Sequence, residues 1–160
     1  MTDGFERLFN AEYQRVVSIA SRVLRDQSEA EDVAQEVFLD FSRRHSPVAD
    51  YAPAWLHRAA THAALNQVRG RKRRESRELH NQAGEVRSEP GADELVERTE
   101  DQRMVREALA RLPKKSAAVL ALRSSGLTYA ETAAALGVGV GQVGTMLRRA
   151  EARLLKEVQR

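Results

Sequence analysis

The sequence predicts an all-α protein made of two small helical domains, a helical bundle and a helix-turn-helix unit, joined by a flexible linker. Three observations predict it. Apolar residues recur at three- and four-residue steps wherever a pattern exists, and nowhere at the two-residue step of a strand. The stretch 79–101 interrupts them with Gly84, Ser88, Pro90, Gly91 and seven acids, and has little periodic apolar content. Charge follows the same division: 1–78 is almost balanced, 79–101 is acidic, and 102–160 carries 11 Lys/Arg against 4 Asp/Glu. The expected organisation is therefore 1–78, an acidic linker over 79–101, and 102–160.

Each helix has its own signal. Phe5, Leu8, Phe9, Val16, Val17, Ala20, Val23 and Leu24 mark one face of the first. Arg25, Asp26 and Gln27 break that pattern, and Ser28 followed by Glu31 is the capping-box spacing that opens a second helix. Its inner stripe is Val33, Ala34, Val37, Phe38 and Phe41; Asp32, Gln35, Glu36, Leu39 and Arg43 lie on the other face. A loop with Pro47 covers 45–52, and Pro53 suits the first turn of a third helix, where its missing N–H costs nothing. Trp55, Leu56, Ala59, Ala63 and Val68 give this helix an inner face; it ends in a basic run in which Gly70 weakens it.

Four helices are expected beyond the linker. Met104, Val105, Ala108, Leu109 and Leu112 form the first; Pro113 opens the next, with Val119, Leu120 and Leu122 inside and Gly126 just past its end. Thr128 and Glu131 form another capping box, starting a short helix that buries Ala130, Ala133, Ala134 and Leu136. Gly137 supplies a turn, and the final helix runs from about Val140 with Val143, Leu147, Ala150 and Leu154 inside.

Composition excludes several classes. The chain of 160 residues has no cysteine, so disulfides and thiolate-bound zinc are out. No apolar run approaches the roughly 18 residues that span a bilayer, and residues 1–10 are charged and lack a signal-peptide core; the expected location is the cytoplasm. His57 and His62 are five apart, off one helix face, and do not make a zinc pair. No carboxylate pair, nucleophile with a base, metal cluster or phosphate loop stands out, so neither an enzyme nor a cofactor is expected.

Three surfaces point to function. A short capped helix, a glycine turn and a longer basic helix have the grammar of a DNA-binding helix-turn-helix. Gln142, Thr145 and Met146 are placed to reach base edges, and Arg148, Arg149 and Arg153 to reach phosphates. Six basic residues within 69–77 adjoin a helix bearing Trp55, His57, Arg58 and His62, a combination suited to single-stranded or opened DNA. The acidic and amide face of the second helix is the third surface.

The string from Ala30 to Leu39 (AEDVAQEVFL) resembles the region-2 helix of the extracytoplasmic-function sigma factors of the bacterial sigma-70 family. Pro53–Ala59 (PAWLHRA), the basic end Arg69–Arg74, Leu109–Pro113 (LARLP), Gly126–Glu131 (GLTYAE), Gly141–Val143 and Leu147–Ala150 match in the same order. The resemblance implies sigma region 2 over 1–78 and region 4 over 102–160. It implies that Asp32, Gln35, Glu36, Leu39 and Arg43 dock on core RNA polymerase. It implies −10 recognition by the 45–52 loop, holding a flipped-out base, and by Arg58, His62, Asn66, Arg69, Arg71, Lys72 and Arg73. It implies −35 recognition by Thr128, Tyr129, Gln142, Thr145, Met146, Arg148, Arg149 and Arg153. Promoter DNA and an anti-sigma factor are the other implied partners.

The sequence departs from the family at several of these places. Gly139 stands where serine is usual, Gly144 and Met146 where lysine and arginine are common, Glu151 where arginine is frequent, and His62 and Asn66 replace asparagine and aspartate. Gly141 and Gly144 each lower helix stability by about 1 kcal/mol against alanine. These departures imply weak or unusual −35 recognition. Two other readings remain open from the residues: a helix-turn-helix regulator acting without polymerase, and a degenerate sigma-like interaction protein.

Overall fold

The computed structural model describes residues 2–81 and 93–160, with side chains placed except at 2, 72, 73, 75, 76, 78–81 and 93–98. Seven helices occupy these residues: α1 (Thr2–Leu24), α2 (Gln27–Arg44), α3 (Ala52–Asn81), α4 (Asp93–Arg111), α5 (Lys114–Ser124), α6 (Tyr129–Leu136) and α7 (Val140–Val158). There is no strand among the described residues. Helix therefore covers both ends of the expected 79–101 linker; Gly84, Ser88, Pro90 and Gly91 lie outside the described residues. Gly70 does not end α3, because one glycine costs only about 1 kcal/mol in a thirty-residue helix.

The local signals place most helix ends. Thr128 Oγ1 accepts from Glu131 N and Glu131 Oε1 accepts from Thr128 N, both at 3.0 Å, so the capping box of α6 is complete. Gly137 closes α6 at φ 70° and Gly126 follows α5 at φ 98°, left-handed positions that glycine fills without a Cβ penalty. The start of α2 corrects the expected Ser28 box. Arg25 turns out of α1 at φ 57°, which leaves Asp26 as N-cap, accepting from Glu29 N at 2.9 Å. Ser28 is already inside the first turn. A carboxylate at this end also favours the helix dipole.

α1, α2 and α3 pack on one another, as do α5, α6 and α7. The two groups also meet: α3 touches α4, α5 and α6, and α1 touches α5. Leu24, Phe41, Leu56 and Leu65 share one continuous core with Leu112, Leu122, Leu127 and Ala135. A smaller cluster of Val119, Ala133, Val143 and Ala150 seats α7 on α5 and α6.

That double contact corrects the expected faces of α6. Ala130 and Ala134 are exposed, whereas Thr132, Ala133 and Ala135 are buried. Ala133 faces the α7 cluster and Ala135 the shared core, so the helix is gripped from two sides rather than along one stripe. Met104, expected inside α4, is 43% exposed.

A buried polar pair crosses the first group. His57 Nε2 and Glu12 Oε2 lie 2.7 Å apart with side-chain exposures of 2% and 12%. Removing the imidazole would strand the carboxyl group away from water. His57→Ala is expected to destabilise the protein by about 3 kcal/mol, measured by urea unfolding; a loss below about 1 kcal/mol would show that the pair behaves as a surface contact.

Candidate nucleic-acid and polymerase interfaces

The apolar stripe of α2, from Ala30 to Phe41, fixes what its opposite side presents. Asp32, Gln35, Glu36, Leu39 and Arg43 are all exposed, and Leu39 is 51% exposed between the acids and amide. No ion pair among the described residues engages Asp32, Glu36 or Arg43; Arg44 instead pairs with Asp40 at 3.2 Å.

On α3, Arg58, His62, Asn66 and Arg69 follow one another at helical spacing. Arg58 and Asn66 are exposed, and His62 and Arg69 are half-buried. The structure does not leave the whole set facing solvent. Arg69 Nη2 donates to the Leu112 carbonyl at 2.8 Å, and Arg71 pairs with Glu29. The side chains of Lys72 and Arg73 lie outside the described residues. Arg58 and His62 line a cleft of about 260 Å³ whose far wall includes Lys114, Lys115, Leu122 and Leu136. Burial, then the positive charges of Lys114 and Arg58, lower the His62 pKa below its ordinary 6.5.

The loop before α3 carries an aromatic wall that the sequence reading named only as a segment. His45 Nδ1 and the Tyr51 hydroxyl are 2.8 Å apart, and the His45 ring lies 5.0 Å from Trp55 and 5.3 Å from Phe41. Tyr51 is 51% and Val48 77% exposed at the rim. Trp55 is half-buried behind them. Tyr51 was legible only as an aromatic in a loop; its pairing with His45 depends on the fold.

The helix-turn-helix presents Gln142, Thr145, Arg148, Arg149 and Arg153 to solvent. Other members of the expected set have additional tasks. Thr128 spends its hydroxyl on the α6 cap. Met146 is half-buried against the Val143 cluster. Gly139, the N-cap of α7, offers no side chain; Gln142 Oε1 instead accepts the Gly139 N–H at 3.1 Å, leaving its NH₂ as the outward-facing donor. Tyr129 is 41% exposed, with the Arg123 guanidinium 4.7 Å from its ring centre. A Cβ at Gly144 would sit 3.7 Å from both Tyr129 Cε2 and Arg148 Nη1, an ordinary contact, so the Tyr129 ring lies beside this position on α7. Lys115, which sequence reasoning did not single out, shares a hollow of about 470 Å³ with Gln142, Thr145, Met146 and Arg149.

An ion pair among the described residues joins the two groups of helices. Arg15 Nη1 donates to Glu131 Oε2 at 2.5 Å. With exposures of 38% and 35%, it is worth at most about 1 kcal/mol. Burying one leucine is worth about 1.5–3 kcal/mol. The shared apolar core therefore contributes more than the ion pair to holding the groups together.

The comparisons with known proteins agree with this architecture. Residues 8–74 match the model of Sigma-70 region 2, and residues 102–154 that of Sigma-70 region 4. The chain is 31% identical over 156 residues to the ECF RNA polymerase sigma factor SigM of Mycobacterium tuberculosis, covering 96% of this chain and 76% of that one. It is also 31% identical over 157 residues to SigE of Mycolicibacterium smegmatis, covering 94% of this chain but only 60% of that relative. The solved structure of CnrH in complex with the cytosolic domain of CnrY has the same fold, with a TM-score of 0.61, 21% identity, and 99% and 90% of the two chains covered. The chain belongs to the extracytoplasmic-function sigma factors of the sigma-70 family. It is thus a transcription initiation factor and not an enzyme. No described helix is long and apolar enough to cross a membrane.

Acid should loosen the contact between the two groups. The Thr128 backbone N–H, with further help from the Thr128 hydroxyl and Arg15, holds the Glu131 carboxyl below its ordinary 4.5 despite partial burial. Its stabilisation is complete above that value and is lost as pH falls through the lowered one. His62 acts in the same sense: its lowered pKa means that stability declines as pH drops below about 6.5. Thermal unfolding of His62→Gln is expected to lose the part of the pH dependence that sets in below about 6.5; a profile identical to the parent would refute the His62 contribution.

Proposed function

We propose that this sigma factor binds core RNA polymerase through the exposed face of α2 and directs it to promoters whose −10 and −35 elements are read by α3 with its preceding loop and by α7. The observation that carries the reading is the placement, in one chain, of an exposed carboxylate–amide–leucine face opposite the α2 core and a capped helix-turn-helix with an exposed arginine row. A helix-turn-helix regulator acting alone has no use for the first of these.

The division of work follows from the side chains. Asp32, Gln35, Glu36, Leu39 and Arg43 meet the polymerase. Tyr51, His45 and Trp55 form a wall on which an unstacked base can lie, with Arg58, His62, Asn66, Arg69, Arg71, Lys72 and Arg73 along the strand. In the major groove, Thr145 and the Gln142 NH₂ reach base edges, while Arg148, Arg149 and Arg153 hold phosphates. Thr128, Tyr129 and Met146 flank that face. With Gln142 partly committed and Gly144 bare, −35 discrimination rests on few direct base contacts. The protein acts in the cytoplasm. An anti-sigma factor is the expected regulator, a reading supported by the same fold in CnrH bound to CnrY and in RpoE bound to the anti-sigma factor NepR of Bartonella quintana, the latter at a TM-score of 0.54.

Run-off transcription with core polymerase on a promoter library tests the reading; failure to initiate from any template would reject it. Charge reversal at Asp32 or Glu36 is expected to reduce co-purification with core polymerase while leaving the circular-dichroism spectrum unchanged, because both side chains point away from the core. Undiminished capture would remove the docking assignment. Arg148→Ala with Arg149→Ala is expected to weaken duplex binding across all sequences and to lower the salt-dependence slope by about 2. An unaltered slope would mean that neither arginine touches phosphate.

A further inference from the structure

We propose that the cleft between α3, α5 and α6 is a binding site for a small organic anion with an apolar body, of the class of medium-chain or aryl carboxylates. The inference concerns the free chain and does not depend on which DNA element each helix reads.

The charges of the cleft have one sign. Arg58 and His62 stand on the α3 wall, and Lys114 and Lys115 on the α5 wall. α6 contributes Ala135 and Leu136 and no titratable group. Among the described residues no carboxylate lines the space, and no ion pair engages any of the four cationic side chains. A Cβ at Gly137 would come 3.9 Å from Arg58 Nη1, so this guanidinium lies near the C-terminal end of α6, where the helix dipole favours a cation. His62 is half-buried behind it. Burial, then Lys114 and Arg58, make His62 harder to protonate, which is the effect of crowded and partly desolvated positive charge on an imidazole. An anion seated among these groups relieves that crowding.

The remainder of the lining is apolar. Ala118, Leu122, Ala135 and Leu136 supply hydrocarbon, and the Thr61 hydroxyl is already donated to the His57 carbonyl at 2.7 Å. An inorganic anion would answer the cations and leave this hydrocarbon unmatched. A neutral apolar molecule would do the reverse. One ligand with a carboxylate among the cations and a short hydrocarbon body against the leucines satisfies both. The volume, about 260 Å³, lies just below the roughly 300 Å³ at which small-molecule pockets begin, so the ligand is small.

Titration calorimetry on the full chain with octanoate, inorganic phosphate and 1-octanol tests the proposal. Octanoate is expected to bind saturably and at least about tenfold more tightly than either control. Lys114→Glu changes an exposed side chain and should weaken octanoate about tenfold, because it sets a carboxylate against the ligand's own. Ala118→Leu should remove binding by filling the floor; circular dichroism checks that it folds, and if it does not, Lys114→Glu decides the matter. A second readout is the imidazole resonance of His62, assigned with His62→Gln. Saturating octanoate is expected to raise the pKa of this histidine. Absent or unsaturable octanoate binding would overturn the proposal. So would binding that Lys114→Glu leaves undiminished, or that fails to move the His62 titration, since the anion would then lie elsewhere. Phosphate or octanol binding as tightly as octanoate would overturn the chemical class assigned to the ligand.

Discussion

Helix α3 has apolar side chains on more than one flank, and the rest of the architecture follows from that constraint. Leu56, Ala60, Ala64, Leu65 and Val68 cannot all be covered by α1 and α2 alone; α5 and α6 close the remaining side. The shared core that results ties together helices whose family signatures are separate. The same packing half-buries His62 and turns Arg69 inward to the Leu112 carbonyl.

Charge placement differs between the two groups of helices. Arg69 and Arg71 have protein partners, whereas the arginines of α7 stand free of the core. Glu131 serves two purposes at once, with one oxygen on the α6 cap and the other on Arg15. The local device that starts the helix-turn-helix is thus also the polar contact that orients it on α1. A side chain with two such partners couples the integrity of a DNA-binding unit to its position in the molecule.

The departures from the family pattern acquire a physical account at α7. Gly139 lacks a capping hydroxyl, and Gln142 supplies only the reciprocal bond of a capping box, its Oε1 accepting the Gly139 N–H. Gly144 lies beside the Tyr129 ring and the Arg148 guanidinium, where a Cβ would be in ordinary contact with both at 3.7 Å. With Gly144 and Met146 where lysine and arginine are common, the exposed cations of α7 begin only at Arg148.

Much of this was legible in the residues. The box at Thr128 and Glu131, the turn at Gly137 and the outward set on α2 depend on partners three or four positions away, and those relations are fixed by helix geometry whatever the surroundings. Other features were not. Asp26 and Ser28 are both good caps, and the choice fell to where α1 ends. In the alanine-rich α6, no contrast of side chains distinguishes one face from another, so its burial was set by the neighbours on either side. Glu12 meets His57, Arg15 meets Glu131 and Arg69 meets the Leu112 carbonyl across 45, 116 and 43 positions. The sequence by itself determined the helices, their order and the chemistry that each exposes. Only the tertiary structure decided which of those charges remain available, because that depends on contacts between segments that no local pattern relates.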